Sequence, residues 1–140
     1  MLFRSLPEQV WMKDRAGAYL AVNVEFERFQ GTRELDVLGK SDHDMDWSRA
    51  AYYTEQDQAT LAAAEPLVFH ETEHSAEGGG ERRLEVTKTA VRDDRGEVIG
   101  VVGIARDMTE IQAANLALKS SEARFRATFE TAGEIGRAHV

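Results

Sequence analysis

Apolar and polar positions alternate in short runs through most of the chain, and turn-forming residues separate the runs. Val10-Trp11-Met12-Lys13 predicts a short strand, and Tyr19-Leu20-Ala21-Val22 predicts a second. Between them stands Asp14-Arg15-Ala16-Gly17, where Asp can open a turn and Gly can take positive φ. Residues 10–22 therefore predict a hairpin. Ahead of it, Leu2, Phe3 and Leu6 suit one face of a short helix stopped near Pro7. After it, Asn23 can cap a helix that runs through Phe26 and Phe29 and ends at Gly31. Residues 32–38 predict another helical turn, with Thr32 as cap and Gly39 as stop.

Residues 42–47 are acidic and less regular, and residues 48–64 turn helical again, with Tyr53, Leu61 and many alanines before Pro66. Residues 67–74 alternate as a strand, with Leu67 and Phe69 against Val68 and His70. Gly78-Gly79-Gly80 predicts a hairpin loop. Residues 83–91 form a long strand pattern, with Leu84 and Val86 on one face and Thr87 and Thr89 on the other. Asp93-Asp94-Arg95-Gly96 repeats the earlier turn grammar. Residues 98–105 are the most apolar strand, and both faces are expected to be covered. The order predicts an α+β fold, a five-stranded antiparallel sheet with helices on one face. Beyond it, residues 109–129 hold no Gly or Pro and predict a helix leaving the domain. Thr109 with Gln112, or Asp107 with Glu110, can form a capping box. Ile111, Leu118 and Phe125 recur every seven residues, a short coiled-coil signal.

Composition narrows the function classes. The 140 residues are 42% apolar and 30% charged, with 17 basic side chains against 25 acidic ones and a net charge of −8. No apolar run approaches the ~20 residues of a membrane helix, and no charged-then-apolar leader opens the chain, so a soluble, cytoplasmic protein is expected. The acidic balance argues against a nucleic-acid platform. The chain has no cysteine, which excludes disulfides, thiolate metal sites and a cysteine nucleophile. Asp42, Asp44 and Asp46 alternate like the start of a calcium loop, but Trp47 and Tyr53 stand where that loop needs Gly and a bidentate Glu. A turn in which carboxylates meet backbone N–H groups fits better. His70 and His74 share a strand face but lack further zinc ligands nearby. The triple glycine lacks the Lys-Ser/Thr of a phosphate loop.

Several pieces lie in a telling order. They are Val10-Trp11-Met12-Lys13-Asp14 with Gly17 and Asn23, then Gly39-Lys40-Ser41-Asp42-His43-Asp44, then Lys88-Thr89-Ala90-Val91-Arg92-Asp93 with Gly96. The most specific is Gly100-Val101-Val102-Gly103-Ile104-Ala105-Arg106-Asp107-Met108-Thr109-Glu110, with its Asp-x-Thr ending. The chain resembles a PAS sensor domain with its PAC half, of the bacterial subgroup that carries Gly-Lys-Ser/Thr-Asp in its middle. Residues 121–132 resemble the leading helix of a following PAS domain, with residues 135–140 as its first strand. The expected organisation is an N-terminal helix over 1–9, the PAS/PAC domain over 10–109, a signalling linker helix over 110–130, and a truncated second PAS domain from 131 to 140. The chain is then a piece of a multi-domain receptor.

The resemblance implies a ligand pocket between the inner sheet face and the long helix. Alternation anchored on Asp107 puts Val101, Gly103 and Ala105 inward and Val102, Ile104 and Arg106 outward. Tyr53, Phe69, Leu84, Val86 and Lys88 complete the expected pocket, with Gly103 and Ala105 leaving room for a ligand or for aromatic side chains from the helix. An inward Lys88 needs a partner, which Asp42 or Asp44 could supply; a structural ion pair and a ligand anchor are both open readings. Lys40, Asp42 and Asp44 form the expected polar motif. Haem is disfavoured because residues 49–64 hold no histidine, though His70 follows closely, and a cysteinyl-flavin is excluded. Leu2, Phe3 and Leu6 are expected to cover Val102 and Ile104 in a homodimer. Asp107 and Thr109 are expected to relay a signal, with Asp107 capping the exit helix or pairing with Arg106 or Arg92. No kinase or cyclase motif is present, so this piece is not itself the enzyme. The implied function is a sensor that binds a small ligand, dimerises, or both, and signals to a histidine kinase or diguanylate cyclase domain. A ligand-free dimerisation spacer and a haem or flavin redox sensor are the alternatives.

Overall fold

Two turns of the same chemistry set the sheet. In the first, Asp14 Oδ1 accepts the backbone N–H groups of Ala16 and Ala18, both at 2.9 Å, and Gly17 takes φ 92°. In the second, Asp93 Oδ1 accepts those of Arg95 at 2.9 Å and Glu97 at 3.0 Å. An Asp in such a turn uses its carboxylate in place of a backbone carbonyl, which fixes the strand register on either side. The structure, a computed structural model, describes residues 2–78 and 80–138, with side chains for 3–78 and 80–128. Its elements are α1 (Leu2–Ser5), β1 (Gln9–Asp14), β2 (Tyr19–Val22), α2 (Val24–Gln30), α3 (Glu34–Val37), α4 (Ala50–Ala62), β3 (Leu67–His74), β4 (Glu81–Arg92), β5 (Val98–Asp107) and α5 (Thr109–Ala138). The described residues fall into two compact units, divided between Asp107 and Met108.

The five strands form one antiparallel sheet in the order β2-β1-β5-β4-β3. That is the predicted α+β architecture, with strand ends moved by one or two residues. Asn23 is fully buried and ties α2 to the sheet: its Oδ1 accepts Phe26 N–H at 3.1 Å as a cap and Val10 N–H at 2.9 Å. Gly31 ends α2 in the left-handed region, as its sequence position predicts. Thr32 is not the cap of α3. Arg33 holds that place without a side-chain bond, and Glu27 Oε2 from α2 accepts Glu34 N–H at 2.7 Å instead.

The core lies between the sheet and the helices over it, around Trp11, Tyr19, Val22, Phe26, Phe29, Val37, Leu84, Val86 and Ala105. On β5 the predicted alternation holds: Val101, Gly103 and Ala105 are buried and Arg106 is exposed. Its outer face, however, stays partly open, with Ile104 37% exposed. In the second unit α5 runs to Ala138, so residues 135–138 continue a helix where a strand is expected. A helix satisfies its backbone groups locally, whereas a strand needs a neighbour for them. His139 and Val140 lie outside the described residues.

Candidate functional site

Alternation along β1 sends Trp11 and Lys13 to the inner face, and β4 sends Leu84, Val86 and Lys88 there. Tyr19 comes from β2, Phe26 from α2 and Trp47 from the segment before α4. Their rings stack in tilted and edge contacts, with centroids 5.8 Å apart for Trp11–Phe26, 5.6 Å for Tyr19–Phe26 and 5.8 Å for Tyr19–Trp47. Gly103 does not leave room for a ligand. A Cβ there would collide with the Trp11 indole, so the place of the missing side chain is filled by a ring from the adjacent strand rather than from the helix.

Beside the rings lies a buried chain of charges. Lys88 Nζ donates to Asp57 Oδ1 at 2.8 Å, Lys13 Nζ donates to Asp57 Oδ2 at 2.7 Å and to Asp42 Oδ2 at 2.5 Å, and Tyr19 OH donates to Asp42 Oδ1 at 2.5 Å. The partner of Lys88 is thus Asp57 of α4, not Asp42 or Asp44. Asp42 serves Lys13, and Asp44 is exposed, where Ser41 N–H at 2.9 Å holds its carboxyl below the usual range. Lys40 is exposed and contributes through its backbone, its C=O accepting Tyr19 N–H at 2.9 Å. Burial pulls the Lys88 ammonium down in pKa, and Asp57 opposes it. Burial pushes the Tyr19 phenol well up, and the Asp42 carboxylate adds to the effect.

A second polar set joins α4 to β3. Arg49 Nη1 donates to Glu73 Oε1 at 2.7 Å, Tyr53 OH donates to the same oxygen at 2.8 Å, and Gln56 Nε2 donates to Glu71 Oε1 at 2.6 Å. Burial, then Glu73, raises the Tyr53 phenol. Gln56 is 4% exposed, and its Oε1 has no hydrogen-bond partner among the described residues.

Between these two sets and the rings is a cavity of about 40 Å³. Of the expected pocket residues, Tyr53, Leu84, Val86, Lys88 and Ala105 line it. Phe69 packs against the core instead. Val101 borders a second cavity, of about 110 Å³, that shares Lys13 with the first. Lys13, Asp57 and Gln56 are site residues that pattern reasoning did not reach. His70 faces outward, 3.7 Å from Glu85, and does not line the cavity. Among the described residues no group of three His, Cys, Asp or Glu is placed to hold a metal ion.

At the far end of the sheet Asp107 Oδ2 accepts a 2.7 Å bond from Arg82 Nε, so Arg82 is a basic partner that the expected Arg106 and Arg92 did not include. Thr109 is the first residue of α5. Leu6 is 42% exposed, and Phe3 and Val102 are half-buried; the Leu2 side chain lies outside the described residues. Leu6 and Ile104 stay exposed, while Val10, opposite Ile104 on the same face of the sheet, is buried, so the chain covers that face only in part.

Comparison with known proteins matches residues 3–113 to the PAS fold family. The chain belongs to that family. The methanogenesis regulatory histidine kinase FilI of Methanothrix harundinacea is 31% identical over 109 residues, covering 78% of this chain and 12% of the relative. A diguanylate cyclase of Vibrio cholerae is 28% identical over 120 residues, covering 79% and 35%. The chain therefore spans well under two thirds of the length of these relatives. Among solved structures, the phage VqmA–DPO complex superposes with a TM-score of 0.71 at 25% identity, covering 87% of this chain and 56% of that one. The PAS domain of Bordetella pertussis BvgS gives 0.56 at 21% identity, covering 88% and 91%. This PAS domain is a sensor domain of the class found in signalling proteins. No helix among the described residues is long and apolar enough to cross a membrane.

Proposed function

We propose that this PAS domain binds a small molecule in the cavity between α4 and the sheet, and passes the change through Asp107-Met108-Thr109 into α5. The output domain would be a histidine kinase or a diguanylate cyclase, the two activities carried by its relatives. The observation that carries this reading is the cavity itself: aromatic walls, a closed ionic chain on one side and an unpartnered buried amide oxygen on the other. A VqmA structure of similar fold is a complex with DPO, which supports ligand binding by such a domain. The exposed Ile104 on the outer face of the sheet, and the exposed Leu6 near the N-terminus, support a homodimer. The small cavity volume favours a second reading, a dimerisation spacer that holds no ligand.

The relay is tested in the full-length receptor with Asp107→Ala and Thr109→Ala. Loss of a cap or an end-of-strand contact costs about 0.5–2 kcal/mol, small against total stability but enough to move a two-state population roughly tenfold. Both variants should melt as folded domains and change basal or stimulated output. Normal output from both, with the fold intact, would remove the relay role.

A further inference from the structure

Gln56 has an orientation that its neighbour fixes. Its Nε2 lies 2.6 Å from Glu71 Oε1, and turning the amide over would set two oxygens against each other at that distance. Oε1 is therefore the free end, and it is an acceptor. It is buried, and leaving such a group unmet costs about 1–3 kcal/mol. Gln56 lines the cavity, so a molecule there can meet this oxygen only by offering an N–H or O–H donor.

The charges around the cavity point the same way. Lys13 and Lys88 are matched by Asp42 and Asp57 in a continuous chain of ion pairs. On the other wall Arg49 faces Glu73, and Glu71 is occupied by the Gln56 amide. Two carboxylates against one guanidinium leave that wall acidic. An entering anion finds its lysines already paired and two more carboxylates nearby. Lys88 still has N–H groups beyond the one given to Asp57, so a neutral acceptor can meet it without disturbing the pair.

Building on the ligand-binding reading above, we infer that the cavity selects an uncharged molecule carrying an N–H donor beside an acceptor, of the amide or lactam kind, and rejects carboxylates of the same shape. The N–H would meet Gln56 Oε1 and the acceptor would meet Lys88, with the rings of Trp11 and Trp47 on the neighbouring wall.

Two matched pairs of small probes test this: formamide against formate, and acetamide against acetate. Trp11 and Trp47 are the chain's two tryptophans and both line the cavity, so their indole N–H signals in ¹H–¹⁵N spectra report occupancy directly. At least one amide should shift these signals saturably and bind tenfold or more tighter than its carboxylate. In Gln56→Leu, with its fold checked by thermal melting, that amide should bind at least tenfold more weakly. A carboxylate binding as tightly as its amide, or an amide unaffected by Gln56→Leu, overturns the ligand class while leaving the cavity a binding site. The latter result would mean that water serves Oε1. Silence of both indoles toward all four probes overturns the class and the ligand-binding reading together. The comparison within each probe pair needs only the parent protein, so the inference stays testable if Gln56→Leu fails to fold.

Discussion

Lys88 and Ile104 lie on adjacent strands, one residue out of register, and on opposite faces of the sheet. The lysine is 2% exposed and the isoleucine 37%. Hydropathy alone would place them the other way round. What decides is the neighbour each face is given. On the inner face, α4 brings Asp57 to within 2.8 Å of Lys88, and the ammonium is matched where water cannot reach it. On the outer face, Ile104 sits in a row with Val10, Thr87 and Val68; Val10 is buried, but Val68 is 53% exposed. An inner face organised by ions and rings specifies one arrangement closely. An outer face that buries Val10 but leaves Ile104 and Val68 open is covered by the chain only in part.

The largest expected effect tests the centre of the inner face. Asp57 accepts from both lysines, so Asp57→Ala leaves two buried cations short of a carboxylate and should cost about 3–5 kcal/mol in urea unfolding. Lys88→Met removes one cation and leaves Asp57 paired with Lys13, so it should cost less than half as much. Equal losses would show that the face is not built around Asp57.

A middle-sized effect comes from Tyr19. Tyr19→Phe deletes a hydrogen bond to an ionised carboxylate and should cost about 1.5–3 kcal/mol at neutral pH. Its pH dependence has a definite sign. The phenol pKa is raised in the fold, so its stabilising contribution is full below the unfolded value of 10.0 and is lost as pH rises above it. Tyr53 is raised too and acts in the same direction. Lys88, lowered in the fold, acts oppositely as pH approaches 10.5. Two phenols against one ammonium predict a net fall in stability above pH 10, less steep in Tyr19→Phe. A thermal-melt series from pH 8 to about 11 that falls equally steeply in both proteins would remove Tyr19 from this account.

The smallest effect on stability is expected from the outer face. Leu6→Glu combined with Ile104→Glu should change folding free energy by no more than about 0.5 kcal/mol per site. Light scattering should nevertheless show a dimer become a monomer. A large loss of stability would mean the two faces are alike after all, and an unchanged mass would move the interface elsewhere.

The fold was readable because its signals are local. Asp14 to Gly17 and Asp93 to Gly96 announce their turns, Asn23 announces its cap, and period-two alternation sorted β5 correctly. The site was half readable. Lys88 was placed inward by alternation, and the same rule applied from Trp11 would have turned Lys13 inward as well. Asp57 was not legible because α4 has almost no apolar stripe. It buries Ala50, Gln56, Asp57 and Thr60, and a helix that meets the core through polar groups gives hydrophobic periodicity nothing to find. The available signal was the close spacing of Gln56, Asp57 and Thr60 on one face of an alanine-rich segment.

The strand order has a further consequence, for how the chain comes to its fold in time. β1 is made first and lies against β5, which is made last, with Gln9 opposite Ala105. While the polypeptide is still emerging from the ribosome, the hairpin of β1 and β2 has one flank without a neighbour until nearly the whole domain has been synthesised. Closing so long a loop is entropically costly and belongs to the slow class of non-local pairings. Until then Trp11 and Lys13 have neither Gly103 beneath the ring nor a finished wall around the charge. The nascent domain passes through a stage with an open strand edge and an unsheltered indole, the stage at which a chaperone has most to protect.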